Sequence, residues 1–113
     1  MTRKRRSDRT HIIYRLTNTV TGEHYIGLTV AVGRAFQKSV KDRLRRHIVR
    51  AQNENHDWAL CNSIRQYGPQ AFSCEIYEFV RGKAAAHKRE TQLIKELRPT
   101  LNTASVNKLL ITL

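Results

Sequence analysis

The sequence predicts a single domain of the mixed class (α/β, specifically α+β), with strands and helices in the order ββααβα. Its 113 residues are a normal length for one domain with one core. Two short segments rich in isoleucine, tyrosine and threonine flank a turn-forming linker, which is typical of a β-hairpin. Farther along the chain, apolar residues recur at helical spacing in three stretches, and one more strand-like segment separates the last two.

The hairpin begins the predicted domain. Its strands are His11–Thr17 and Glu23–Thr29, and Gly22 is expected to adopt the positive φ that the turn requires. Because paired strands place residues distant in sequence side by side, Tyr14 and Tyr25 are expected to share one surface. Two phenol hydroxyls beside a dense positive charge suit chemistry on a phosphate.

Two helices are predicted from caps and apolar spacing. Ser39 is the predicted N-cap of a helix that runs to about Asn53, and Asp57 is that of a second helix, Trp58 to Tyr67. Gly68-Pro69 ends the second helix because proline cannot continue it. The predicted inward-facing residues are Val40, Leu44, Ile48 and Ala51 in the first helix and Trp58, Cys61 and Ile64 in the second.

A third strand and a third helix complete the domain. The segment from Phe72 to Val80 has apolar residues on both of its faces, which predicts a central strand buried on both sides. The helix follows from about Lys83 to Leu97 and ends before Pro99. Its predicted inward stripe consists of Ala86, Leu93, Ile94 and Leu97.

Glu90 lies in the middle of that apolar stripe, whereas Glu96 projects from the opposite side of the helix. Burying a carboxylate is unfavourable unless a cation, a metal or several hydrogen bonds compensate. A salt bridge to one of the many arginines and a divalent metal ion are both compatible with the pattern. Arg43 and His47, four residues apart on one face of the first helix, and Asn102, after the proline-containing turn, are further candidate site residues.

The charge of the chain indicates a polyanionic partner. Lysine and arginine number 21 against 9 acidic residues, which gives a net charge of +12, and nucleic acid is the first candidate. Residues 1–10 form a predicted basic arm, which is not expected to bind membranes because it has no apolar face. The arm carries Arg3, Lys4, Arg5 and Arg6. With no secretory or membrane-spanning segment in view, we expect an intracellular, cytoplasmic protein.

These segments, taken in order, resemble the GIY-YIG nuclease family, in its phage and homing-type branch. The match extends from about His11 to Asn102, within a predicted domain at 11–103. It rests on Ile12-Ile13-Tyr14, Tyr25-Ile26-Gly27, Arg43-Leu44-Arg45-Arg46-His47, Ser63-Ile64-Arg65-Gln66-Tyr67-Gly68 with Phe72, and Glu90 with Ile94, Pro99 and Asn102. Ile12 replaces the glycine of the family name, and a long connection after Leu28 makes Arg34 a rival to Arg43.

The resemblance implies a small three-stranded, mainly antiparallel sheet flanked by helices. It also implies a metal-dependent DNA endonuclease that leaves 5′-phosphate and 3′-hydroxyl ends. One Mg²⁺, replaceable by Mn²⁺, would be held by Glu90, while Arg43 would stabilise charge on the phosphate. The implied catalytic residues are Tyr14, Tyr25, Arg43, His47, Glu90 and Asn102, and the implied DNA contacts are the basic arm with Arg45, Arg46 and Arg50.

Several alternatives stay open from the sequence. Tyr14 and His47 are rival general bases. The biological role is undecided between restriction, repair, and phage or mobile-element function. The protein is expected to be nucleoid-associated or phage-encoded. Because few residues follow Asn102, specificity is expected to come from the domain, its arm, a homodimer or a separate partner. The apolar tail, 104–113, is expected to pack on the domain or in a dimer. A non-catalytic basic nucleic-acid-binding module, with Glu90 in a salt bridge, is the alternative function.

Overall fold

The computed structural model describes residues 9–54 and 56–103, and its first two strands form the predicted hairpin. Strands β1 (Thr10–Asn18) and β2 (His24–Val30) pair antiparallel. Gly22 adopts the predicted positive φ, 80°. The Asn18 side chain closes the turn, because its Oδ1 accepts hydrogen bonds from two backbone N–H groups in it. Asn18 is fully buried, and its amide also donates to Ser63 Oγ.

Three α-helices and a third strand follow the hairpin. They are α1 (Phe36–Asn53), α2 (Ala59–Tyr67), β3 (Phe72–Arg81) and α3 (Lys83–Leu97), with short 3₁₀ turns at Pro69–Ala71 and Thr100–Asn102. β3 pairs antiparallel with β1, so that the sheet has the order β2-β1-β3. The three-stranded antiparallel sheet flanked by helices confirms the predicted fold class.

The prediction that the third strand is central was wrong, because β1 occupies that position. β3 lies at an edge and contains an irregularity beside Ile13 and Tyr14, where Tyr77 is the extra residue. Tyr77 and Phe79 are 39% and 50% exposed. The two-sided burial expected of a central strand is found instead in β1, in which four consecutive residues from His11 to Tyr14 are buried.

The helices cover opposite faces of the sheet. Alternate residues of β1, namely Ile12, Tyr14 and Leu16, belong to a core shared with α1 and α2. On the other face, Ile13 packs with Ile26 of β2 and Leu93 of α3. This alternation follows from the two-residue repeat of a strand, and it places α1 and α3 on opposite sides of the same sheet.

Four local predictions about the helices were wrong. α1 begins at Phe36, and Ser39 is buried in its first turn, where its hydroxyl donates to the Ala35 carbonyl instead of capping the helix. Trp58, not Asp57, is the N-cap of α2, and its indole is 46% exposed rather than inward-facing. Leu97 is also exposed, because α3 buries Ala86 and Leu93 and has passed the edge of the core at its last turn.

In the part of the chain that the structure describes, no helix is long and apolar enough to cross a membrane. Arg3, Lys4, Arg5 and Arg6 of the predicted arm, and the predicted apolar tail at 104–113, lie outside the described residues.

Candidate active site

A cleft lies beside the outer edge of β2, where α1 and α3 approach from the two faces of the sheet. It holds a cavity of about 470 Å³ lined by Tyr25 of β2, by Arg43 and Arg46 of α1, and by Lys83 and Glu90 of α3. A second cavity shares Tyr25 and Arg43 with the first and extends to His47, Asn102 and Trp58. Five of the six predicted catalytic residues therefore line these two adjoining cavities, to which strand and helices each contribute.

Tyr14 is completely buried beside the site and lines neither cavity. Its hydroxyl forms a 2.8 Å hydrogen bond with Nε2 of His47. Burial raises the pKa of the Tyr14 phenol far above its ordinary value, with a further contribution from the Tyr25 phenol, while the nearby Arg43 guanidinium opposes the rise. At neutral pH Tyr14 is therefore a neutral phenol, held against the imidazole.

His47 is buried and neutral at physiological pH. Burial and the positive charges of Arg43 and Arg50 lower the pKa of its imidazole to about 4. An uncharged imidazole bears one N–H and one free lone pair, so it can accept the proton of the Tyr14 hydroxyl. The spacing of Arg43 and His47 predicts only that they share one face of the helix, and it does not predict that His47 is buried against Tyr14.

Tyr25 completes an aromatic cluster at the mouth of the site. Its ring centroid lies 5.2 Å from that of His47 in an edge-to-face arrangement, and 6.2 Å from that of Tyr14. Burial raises the pKa of the Tyr25 phenol, the Glu90 carboxylate adds to the rise, and the Arg43 charge opposes it. Tyr25 is thus a neutral hydrogen-bonding group between the arginine and the acid.

Glu90 reaches the cleft from α3 with its side chain 21% exposed. Within residues 9–54 and 56–103, no lysine or arginine nitrogen lies within 4.0 Å of its carboxylate; the nearest basic side chain is that of His87, whose Nδ1 lies at 4.0 Å. Burial raises the pKa of Glu90, and His87 and Arg43 oppose the rise. Among the described residues, the salt bridge to an arginine that was one interpretation of the sequence is not formed.

Arg43 is the arginine that the fold brings to the tyrosines. It lines both cavities, and its Nε is buried without a hydrogen-bond partner in the described part of the chain. The rival, Arg34, is exposed in the loop that precedes α1 and is absent from the lining of either cavity. Arg46 and Arg50 also line the cleft, whereas Arg45 is exposed on another side of α1.

Asn102 acts on the backbone of β2. Its Oδ1 accepts a hydrogen bond from the N–H of Ile26, and its Nδ2 donates to the Ile26 carbonyl, both at 2.7 Å. The amide therefore pairs with the free edge of β2 as a neighbouring strand would. Since both polar atoms are occupied, Asn102 fixes the position of Tyr25 and is a positioning residue in this geometry.

Gly27 is a further site residue, which the sequence interpretation missed. It pairs with Tyr14 across the hairpin, and the Tyr14 ring lies directly over its Cα. A Cβ built on Gly27 would be 2.8 Å from Cε2 of Tyr14 and closer still to Cζ and the hydroxyl. The missing side chain makes room for the phenol, and a glycine within a strand is the signal that indicates such a close approach.

Replacing Gly27 with alanine is expected to lower the free energy of unfolding by about 1–3 kcal/mol, because the methyl group overlaps a ring that cannot move aside in a packed core. Urea denaturation measures this. In a Tyr14→Leu background, which lacks the overlapping atoms, the same substitution should cost much less. An equal cost in both backgrounds would show that the Tyr14 ring is not what excludes a side chain.

Comparison with known proteins agrees with this geometry. The family model of the GIY-YIG catalytic domain matches residues 10–103. The solved catalytic domain of homing endonuclease I-TevI is 26% identical, with a TM-score of 0.63, and the alignment covers 85% of this chain and 97% of that one. A mutant of the intron endonuclease I-TevI catalytic domain matches with the same identity and TM-score, over 86% and 93% of the two chains. No curated protein sequence matches the chain. With the family model covering both tyrosines, the arginine helix and the acid, the chain belongs to the GIY-YIG catalytic domain family.

Proposed function

We propose that this chain is a metal-dependent DNA endonuclease that leaves 5′-phosphate and 3′-hydroxyl ends. The observation that carries the proposal is a pair of groups in one cleft: the buried Nε of Arg43, which has no hydrogen-bond partner among the described residues, and the carboxylate of Glu90, which has no lysine or arginine partner there. A buried donor without an acceptor costs about 1–3 kcal/mol, and a phosphate oxygen is an acceptor that would remove this cost. The net charge of +12 favours a polyanion as the source of that phosphate.

The donor set fits magnesium. Among the described residues there is no cluster of three or more histidine, cysteine, aspartate or glutamate side chains that would hold a metal by themselves. Mg²⁺ does not need one, because it keeps several waters and binds proteins through one or two carboxylates together with substrate phosphates. Glu90 would supply that carboxylate. The bound ion would stabilise the negative charge that develops on the leaving oxygen.

Arg43 and Tyr25 hold the phosphate in this proposal. Arg43 presents its guanidinium to the non-bridging oxygens, whose charge increases as the nucleophile approaches. Tyr25, a neutral donor at neutral pH, hydrogen-bonds a phosphate oxygen or the attacking water. Asn102 keeps Tyr25 in place through its two hydrogen bonds to the next residue, Ile26.

Tyr14 and His47 act together as the general base in this proposal. A phenol with a raised pKa is a poor base by itself at neutral pH. The hydrogen bond to His47 offers another route once DNA binding has opened the buried Tyr14 oxygen to the site: that oxygen accepts a proton from the nucleophilic water while its own proton passes to Nε2 of His47. The incoming phosphate assists this transfer, because a negative charge favours the protonated imidazole.

The proposal is tested by incubating the protein with supercoiled plasmid and with end-labelled duplex DNA in the presence of Mg²⁺, Mn²⁺ or a chelator. Nicked or linear products that require a divalent metal, and whose 5′ ends are phosphorylated, are expected. DNA binding without cleavage under all of these conditions would instead identify a basic nucleic-acid-binding module. Sequencing the product ends also shows whether the cut sites share a sequence, as a phage or mobile-element enzyme requires.

A further inference from the structure

Trp58 presents an exposed indole beside the active site. It lies directly before α2, and 46% of its surface is accessible. One face stacks on the His56 ring, with centroids 4.2 Å apart and planes within 9°. The Arg65 guanidinium supports this stack, since it donates hydrogen bonds to the carbonyls of Ala51 and His56. These bonds tie the backbone of His56, whose ring stacks on the indole, to α1 and α2.

The exposed part of the indole is available for contact. The guanidinium carbon of Arg50 lies over the Trp58 ring, 5.8 Å from its centroid, which is within cation–π range but farther away than the His56 ring at 4.2 Å. A base that stacks on the indole would therefore displace the Arg50 guanidinium, which would be free to pair with a phosphate. An exposed tryptophan next to an arginine is the combination with which proteins bind unstacked nucleobases.

The position of Trp58 relates it to the reacting phosphate. The cavity of about 360 Å³ that it lines also contains Tyr25, Arg43 and His47. Glu90 and Lys83 line the other cavity, which meets this one at Tyr25 and Arg43. A strand whose phosphate sits at Arg43 can thus extend in one direction past Glu90 and in the other towards Arg50 and Trp58.

We propose that Trp58, backed by His56 and flanked by Arg50, stacks on the base of a nucleotide adjacent to the scissile phosphate. The inference rests on the proposed endonuclease function and adds a binding subsite to it. A base can reach the indole only when it has left its neighbours in the duplex. The enzyme would therefore favour cut sites at which the DNA is easily unstacked, such as pyrimidine–purine steps, mismatches or single-stranded gaps.

The chain has one tryptophan, so its fluorescence reports on Trp58 alone. We expect quenching when the Glu90→Ala variant, used to prevent cleavage, is titrated with a short duplex carrying a mismatch at the cut site. Binding is followed independently by the anisotropy of labelled DNA. Saturated binding with unchanged tryptophan emission would overturn the proposal, whatever the enzyme's activity.

Substitutions separate stacking from a merely structural role. Trp58→Ala is expected to weaken binding of the mismatched duplex about tenfold, and Trp58→Phe should restore most of the loss. Tyr77→Ala is the matched control, because Tyr77 is a partly exposed aromatic residue on β3, at the other edge of the sheet. Equal affinities for Trp58→Ala and Tyr77→Ala, with both variants folded by circular dichroism, would also refute the subsite.

The two proposals fail in different ways. If wild type binds DNA and quenches but never cleaves, the endonuclease function is wrong and Trp58 remains a base-binding residue. If wild type cleaves, and Trp58→Ala cleaves mismatched and fully paired sites with unchanged preference, the function holds and the stacking subsite is wrong.

Discussion

Replacing Glu90 with alanine should reduce DNA cleavage by a factor on the order of 10³ while leaving DNA affinity nearly unchanged, because a metal clamp acts on charge that develops only in the transition state. The carboxylate has no ion-pair partner among lysine and arginine residues of the described chain, so its removal loses only the 4.0 Å contact with the exposed His87. The melting temperature should stay the same or rise slightly, since a carboxylate whose pKa is raised by burial is lost. Single-turnover cleavage, DNA binding and thermal unfolding measure the three quantities.

Glu96→Ala is the matched control for this experiment. Glu96 lies on the same helix, α3, and is exposed on its outer side. Its loss should leave cleavage within about twofold of wild type, as expected for an exposed charge away from the site. If Glu90→Ala instead unfolds at a clearly lower temperature and retains activity, Glu90 is a structural acid and the metal-binding proposal is wrong.

The elements of the fold that depend on local periodicity could be predicted from the sequence. The hairpin and α3 were found with bounds close to those in the structure, since turn residues and apolar spacing act within a few residues. The choice of the central strand could not be made in this way. Phe72 to Val80 is apolar on both faces, yet β3 is an edge strand. The position of a strand in a sheet depends on its pairing with strands elsewhere in the chain, which its own residue pattern does not reveal.

The same contrast between local and long-range information applies to the residues of the site. Glu90 could be singled out because a charge on an apolar stripe conflicts with its surroundings, a contrast visible within one helix. The sequence could not choose between Arg34 and Arg43 by distance from Tyr25. The structure separates them because α1 begins at Phe36, which leaves Arg34 in the preceding loop and carries Arg43 on the helix to the cleft.

Two contacts at the site join segments that are distant in the sequence. No pattern of neighbouring residues could have predicted them. The amide of Asn102 meets the backbone of Ile26, 76 residues earlier, and the hydroxyl of Tyr14 meets His47, 33 residues later. The family resemblance named these residues without assigning their partners. In the structure the Asn102 amide bonds to the backbone of β2, and the two rival bases form one hydrogen-bonded pair.

That pair leads to the second large effect: Tyr14→Phe is expected to reduce cleavage about 10²–10⁴-fold, the usual loss when a general base is removed. Phenylalanine keeps the ring in the core and deletes only the hydroxyl that contacts His47. The groups that face this hydroxyl are Tyr25 from β2, Arg43 and His47 from α1, and Glu90 from α3. A loss of less than about tenfold would exclude Tyr14 as the group that receives the proton of the water.

The pH dependence of cleavage then tests whether His47 takes the proton from Tyr14. Since the pKa of His47 is lowered to about 4, the imidazole is already able to accept a proton throughout the neutral range, and the wild-type rate should change little between about pH 6 and about pH 9. His47→Gln preserves a hydrogen-bonding partner but cannot take up a proton. In that variant Tyr14 must ionise by itself, and because its pKa is raised above the ordinary value, the rate should fall at neutral pH and rise about tenfold per pH unit. A wild-type rate that already rises with this slope would show that Tyr14 works as a phenolate and that His47 only positions it.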